Sequence, residues 1–174
     1  HMITGDINEQ TLKEMDVLVD EGVTSFKLFM AYPGVFYSDD GEILLAMQKA
    51  AENGSTICMH AENGIAIDVY VEQALKRGHT DPIYHGLVRK SLLEGEAAHR
   101  AIVLAELTGA PLYIVHTSAK EAVNEVIQAR DRGLNVFAAT CPQYLFFDLD
   151  NLGNGFEGAK YVCSPPMRDR AAGH

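Results

Sequence analysis

Cations are scarce in this sequence. Against 24 Asp and Glu stand 14 Lys and Arg, a formal charge of −10; a phosphate backbone is held by clustered cations, so nucleic acid is not an expected partner. Cysteine is thin as well. Cys58, Cys141 and Cys163 are an odd set at wide, irregular gaps, which suits reduced thiols better than a disulfide framework or a Cys-based zinc site. No run approaches the about eighteen uninterrupted apolar residues of a membrane span, and the opening residues lack a basic segment followed by an apolar one. The expectation is a soluble, cytoplasmic protein with no membrane partner. No low-complexity tract, linker or tandem repeat divides the chain. No G-x-G-x-x-G or P-loop pattern follows an expected strand, which counts against a small doubly wound nucleotide-binding domain.

What is present is an alternation of helical and β-branched segments along 174 residues that are 47% apolar. The apolar positions Leu12, Met15, Leu18 and Val19 predict a helix between Ile7 and Gly22, with Asp6 and Glu9 resembling a capping box. Ser38-Asp39-Asp40 opens a second helix that ends near Asn53-Gly54. A third is expected over about Gly64 to Arg77 and a fourth from Leu93 to Thr108. Ser118 and Glu121 read as a second capping box, opening a helix that reaches Arg132-Gly133. Between the helices lie expected strands at Thr24 to Met30, Ser55 to Met59, Pro111 to Val115 and Leu134 to Thr140. That order means parallel α/β. Four βα units suit either a small doubly wound sheet or half of an eight-stranded barrel, and periodicity does not separate them. His1-Met2 resembles what remains when an expression tag is removed, leaving 3–174 as the natural segment.

Three residues capable of meeting a metal fall in or just after successive expected strands: Lys27 within Phe26-Lys27-Leu28-Phe29-Met30, His60 after Met59, and His116 after Val115. Barrel enzymes assemble their sites from strand ends, so such residues converge there if the barrel reading holds. A lone strand-end His is more often a hydrogen-bonded structural residue, and a lone Lys a surface charge. Lys27 argues against the second, because an unpaired ammonium inside an apolar run costs several kcal/mol and needs a partner or chemical modification. His79, His85 and His99 fall in a loop or on helices and are expected elsewhere.

The motifs Phe26-Lys27-Leu28-Phe29-Met30-Ala31-Tyr32, His60-Ala61-Glu62-Asn63-Gly64, Tyr113-Ile114-Val115-His116 and Cys163-Ser164-Pro165-Pro166, in this order and spacing, resemble those of bacterial dihydropyrimidinases and D-hydantoinases. The similarity runs through Thr140-Cys141-Pro142-Gln143-Tyr144-Leu145 and covers essentially all of the chain after residue 2. The resemblance implies a cyclic amidohydrolase of (β/α)₈ barrel fold, of which this is an internal segment of about strands four to seven. It implies that Lys27 becomes a carbamate bridging two metal ions, usually zinc, and that His60 and His116 bind the second of them. By the same resemblance Tyr32 polarises the carbonyl of a small cyclic amide or ureide, and Ser164 contacts that ring largely through its backbone. Pro33 restricts the backbone beside Tyr32, consistent with a preorganised donor.

The family also uses a His-x-His pair and a late aspartate, and no two of the seven histidines here are separated by one residue. The chain alone is therefore expected to be inactive and to hold at most one metal weakly, with Lys27 an ordinary amine. Its exposed sheet edges predict a homo-oligomer. Two other members of the superfamily are alternatives: a non-catalytic, dihydropyrimidinase-like interaction protein, against which Lys27, His60 and His116 together argue, and an allantoinase or dihydroorotase, against which Tyr32 and the Cys163–Pro166 segment argue.

Overall fold

The structure, a computed structural model, describes residues 1–170; the last four residues of the 3–174 segment lie outside the described part. Among the described residues the centre is a five-stranded parallel sheet in the order β1 to β5, with strands Met2–Ile3, Ser25–Phe29, Thr56–His60, Leu112–Ile114 and Val136–Ala138. Strand order follows chain order, as in a sheet wound one way. One strand more is present than the alternation predicts, because Met2 and Ile3 pair with Phe26 and Lys27, and a two-residue edge strand carries no period to read. Crossovers are helical: α1 (Glu9–Asp20), α2 (Asp40–Asn53), α3 (Gly64–Lys76), α4 (Ile83–Val88), α5 (Ser91–Thr108) and α6 (Lys120–Asp131), followed by the short α7 (Pro142–Phe146) and two 3-10 turns, Leu149–Gly153 and Gly155–Tyr161. The helix α4 begins inside the stretch Gly78 to His85, whose polar, Gly- and Pro-containing sequence reads as a break between helices. No helix among the described residues is long and apolar enough to cross a membrane.

The sheet has two unlike faces. Paired residues point the same way and successive residues point oppositely. Phe26, Leu28, Ile57, Met59, Leu112, Ile114 and Val136 therefore share one face, and all are buried in a single cluster with Ile43, Met47, Ile102, Val126 and the alanines of α2, α5 and α6. The register Lys27–Cys58–Tyr113–Phe137, with Phe29 beside His60, puts the remaining side chains on the other face. Hydrophobic burial on one face holds the segment together and leaves the second for chemistry.

The local signals were read correctly in some places and not in others. Asp39 caps α2, its side chain accepting from the Glu42 N–H while Glu42 reaches back to the Asp39 N–H, and the helix stops at Gly54 with φ 75°. In α1 the reciprocal pair is Asn8 with Thr11, not Asp6 with Glu9. Ile7 is buried ahead of the cap and works as a hydrophobic staple, which sets the start two residues later than expected. At α6 the Ser118–Glu121 box does not form. Ser118 N and Oγ both donate to Glu94, at 2.8 and 2.7 Å, and Glu121 accepts from Ser91 Oγ at 2.9 Å. A carboxylate from the neighbouring helix outcompetes the local partner.

Helices α5 and α6 approach closely because Gly95 faces Glu121, where an added Cβ would stand 2.7 Å from the Glu121 Cβ. Gly64 is tighter against backbone: its N–H donates to Met30 O at 3.0 Å, and a Cβ would stand 2.5 Å from Ala31 Cα. Gly64→Ala is therefore expected to destabilise the fold by ~1–3 kcal/mol, the usual overpacking range. Urea denaturation checks this, with Gly5→Ala, where nothing lies within 4 Å, as the control that stays at the parent midpoint.

Candidate active site

Where β2, β3 and β4 end, the face away from the helices gathers polar groups. His60 is the last residue of β3, and Met30 N–H donates to its carbonyl at 3.0 Å, fixing the strand end. His116 follows β4 by two residues, held between Val115 N–H donating to Met59 O and Thr117 N–H donating to Ala139 O. Tyr32 and His116 have φ of 66° and 44°. Left-handed backbone costs about 1–2 kcal/mol per non-glycine residue and persists where surrounding structure forces it, commonly at functional sites. Both bends turn the chain sharply at the sheet edge and bring the rings inward.

The two histidines meet. His60 Nδ1 stands 3.1 Å from His116 Nε2, their ring centroids 4.7 Å apart. Behind His60, its Nε2 lies 2.8 Å from Glu62 Oε2, with both residues almost fully buried. A carboxylate oxygen accepts, so Nε2 carries the proton and Nδ1 presents a lone pair toward His116. Burial first, then the neighbouring His60 and Lys27, push the His116 pKa down to about 3, so its ring is neutral at physiological pH. With the His60 proton on Nε2, the neutral His116 donates its Nε2–H to His60 Nδ1; moving that proton to His116 Nδ1 would leave both facing nitrogens free as metal donors, with a carboxylate fixing the ring behind one of them. Two nitrogens bound at about 2.0–2.1 Å to a tetrahedral zinc stand roughly 3.3 Å apart, close to the spacing observed. Buried atoms left without a partner, His116 Nδ1 and Glu62 Oε1, mark an incomplete polar centre. Among the described residues no three His, Cys, Asp or Glu side chains cluster as a metal site.

Lys27 lies on the same face, two residues before Phe29, with its ammonium 4.9 Å from the centre of the Phe29 ring. Burial lowers its pKa, opposed by Cys58 and Cys141. Phe29 in turn stacks on His60 at 5.5 Å, and the Tyr32 ring centre is 5.1 Å from that of His60. Burial raises the Tyr32 pKa, and a hydrogen bond with the Ser164 side chain works in the opposite direction. The phenol therefore stays protonated and can donate at neutral pH.

Ser164 comes from the far end of the chain and is fixed by its neighbours. His85 Nε2 lies 2.8 Å from Cys163 O and 3.2 Å from Ser164 Oγ. Tyr144 OH donates to Pro165 O at 2.7 Å. None of these bonds uses Ser164's own N–H or C=O. His79 and His99 lie apart, stacked on Tyr84 and paired with Glu125 respectively. His85, expected in a loop or on a helix and away from the site, lies on α4 and belongs to it, bound to Cys163 and Ser164. Glu62 and His85 are the functional candidates that sequence reasoning missed. A His-x-Glu pair at a strand end is a visible signal for the first, since residues two apart in extended chain point the same way.

No family model matches the chain. Over 171 residues, 98% of its length, it is 71% identical to a D-hydantoinase of Streptomyces coelicolor, and over 172 residues 49% identical to one of Geobacillus stearothermophilus. It spans 37% and 36% of those two proteins. The crystal structure of a dihydropyrimidinase from Brevibacillus agri superimposes with a TM-score of 0.96 at 45% identity, covering 99% of this chain and 38% of the other. A dihydroorotase from Campylobacter jejuni, at 12% identity and a TM-score of 0.64, shares the fold. The parallel α/β sheet is thus a partial TIM-type barrel, and the chain belongs to the dihydropyrimidinase and D-hydantoinase family.

Proposed function

We propose that this chain supplies part of the active site of a metal-dependent cyclic amidohydrolase acting on a dihydropyrimidine or hydantoin ring. The observation that carries the reading is the 3.1 Å approach of His60 Nδ1 to His116 Nε2 with Glu62 fixed behind His60. Such nitrogens suit zinc, and Lys27 on the same face is the candidate for the carbamate that bridges two ions. Burial favours the neutral amine of Lys27, the form whose lone pair attacks CO₂, a proton leaving the nitrogen as the N–C bond forms. Divalent metal bound there supplies a Lewis acid and acidifies water. The chain's own residues do the rest. Tyr32, held protonated by burial, donates to the amide oxygen as negative charge develops on it. Ser164 offers an open N–H and C=O to the alternating acceptor and donor of a cyclic ureide.

The experiment is turnover of a panel of cyclic amides by the full-length, zinc-loaded protein. Hydantoin or dihydrouracil hydrolysis is expected, and no turnover of any ring would overturn the reading. The 174-residue chain alone is expected to be inactive, with Lys27 an unmodified amine and zinc weakly held. Tyr32→Phe in the full-length protein is expected to lower kcat about 10²-fold, the usual loss of one oxyanion donor, with zinc content unchanged.

Glu62→Ala removes the acceptor that sets the His60 tautomer. Zinc affinity, measured by chelator competition, is expected to fall roughly 10- to 100-fold. The sheet ends in strands β1 and β5, with Phe137, Leu145 and Phe146 exposed; unpaired edges and apolar patches recruit further chain. We infer self-association, and light scattering at low concentration is expected to give a mass above the monomer.

A further inference from the structure

Residues 163–168 run without regular structure, yet their carbonyls are tied down on both sides of Ser164. Cys163 O is held by His85, Pro165 O by Tyr144, and Arg168 O accepts from Leu149 N–H at 2.9 Å. His85 makes two of the contacts closest to Ser164 from one ring nitrogen, Nε2. Its other nitrogen, Nδ1, is 3.1 Å from Arg89 Nη1 on the same stretch of chain. A guanidinium only donates, so Nδ1 accepts and the ring proton sits on Nε2, aimed at Cys163 O and Ser164 Oγ. The ring proton cannot move to Nδ1 without setting an N–H against the guanidinium. Ser164 Oγ, receiving from His85, keeps its own proton for the Tyr32 hydroxyl.

We propose that His85 is a positioning residue for amide hydrolysis: with its tautomer locked by Arg89, it fixes the Cys163–Ser164 peptide that receives the ring amide and turns the Ser164 hydroxyl toward Tyr32. This rests on the hydrolase reading above and adds a residue to it. Burial, and after it Arg89, lower the His85 pKa, in keeping with a neutral ring that donates through Nε2. The direction of donation runs one way, from Arg89 through His85 and Ser164 to Tyr32. The side chain never touches substrate; it acts through the peptide and hydroxyl it holds.

Two measurements test it. In this chain, two-bond ¹⁵N–¹H correlation of the histidine rings is expected to show His85 neutral and protonated at Nε2. His85→Phe is expected to move the Ser164 and Tyr32 signals while leaving those of His60 and His116. A proton on Nδ1, or unmoved Ser164 signals, would overturn the proposal whatever the protein's activity. In the full-length protein, His85→Phe is expected to raise KM roughly tenfold, the loss of one hydrogen bond to a positioned group, with zinc content kept. His85→Gln, whose Nε2 can donate from the same place, is expected to restore KM to within about twofold of the parent. Equal damage from both variants, or an unchanged KM in His85→Phe, would overturn the positioning role while leaving the hydrolase reading intact. A parent protein that hydrolyses no cyclic amide would overturn the hydrolase reading and with it the role proposed for His85.

Discussion

Glu94 is 2% exposed, and a carboxylate so placed must be given donors, because burying one unpaired costs several kcal/mol. It has four. Ser118 N–H, Ser118 Oγ and Ala119 N–H donate at 2.8, 2.7 and 3.1 Å, and Arg168 Nη2 at 2.6 Å. Three of these donors belong to the start of α6, so the negative charge also sits at the positive end of that helix. The fourth brings in the segment after Ser164. Arg168 continues to Ser118 Oγ at 3.1 Å and to the carbonyl of Arg89, at the end of α4. One side chain on α5 thus fixes the bend that carries His116, the end of α4 that carries His85, and the stretch that carries Ser164. Without it the two sides of the candidate site would have no common reference.

The sheet divides its work by face. Burial of Phe26, Leu28, Ile57, Met59, Leu112 and Ile114 against helices stabilises the segment without involving the residues that alternate with them. The opposite face can therefore hold what an apolar core does not readily hold, namely Lys27 and His60. Catalytic groups at strand ends inherit the rigidity of a ladder they do not themselves stabilise. Among the described residues, the non-glycine positions with left-handed backbone are at the bends just beyond the strands, Tyr32 and His116.

Much of this was legible in sequence where the signal is local. Period-3.6 and β-branched runs gave the parallel α/β order; Lys27 in its apolar run and the single histidines after Met59 and Val115 marked the strand ends. Ser38-Asp39-Asp40 marked the start of α2, where Asp39 is the cap. The misreadings have a common cause. Ser118 and Glu121 have capping-box spacing, but Glu94 and Ser91, 24 and 30 residues away, take their hydrogen bonds. His85 looked unconnected with the site because its partners Cys163 and Ser164 lie 78 and 79 residues on. A spacing rule sees only competitors within a turn or two, and a buried carboxylate or a folded-back segment outbids them.

The same contrast of range separates the two ends of the site. His60 is set by Glu62, two residues along its own strand end, and it meets His116 across the β3–β4 ladder. The metal-facing half is therefore contained in contiguous, tightly packed structure. The substrate-facing half is different: Ser164 owes its place to His85 on α4, to Tyr144 on α7 and to the Arg168–Glu94 pair, which must all dock first. Tyr32 joins the halves, its ring against His60 and its hydroxyl on Ser164. A residue that must align a carbonyl with groups fixed from both sides needs a stiff backbone of its own. The left-handed turn at Tyr32, closed by Val35 and Phe36 N–H groups donating back to its carbonyl, provides that stiffness.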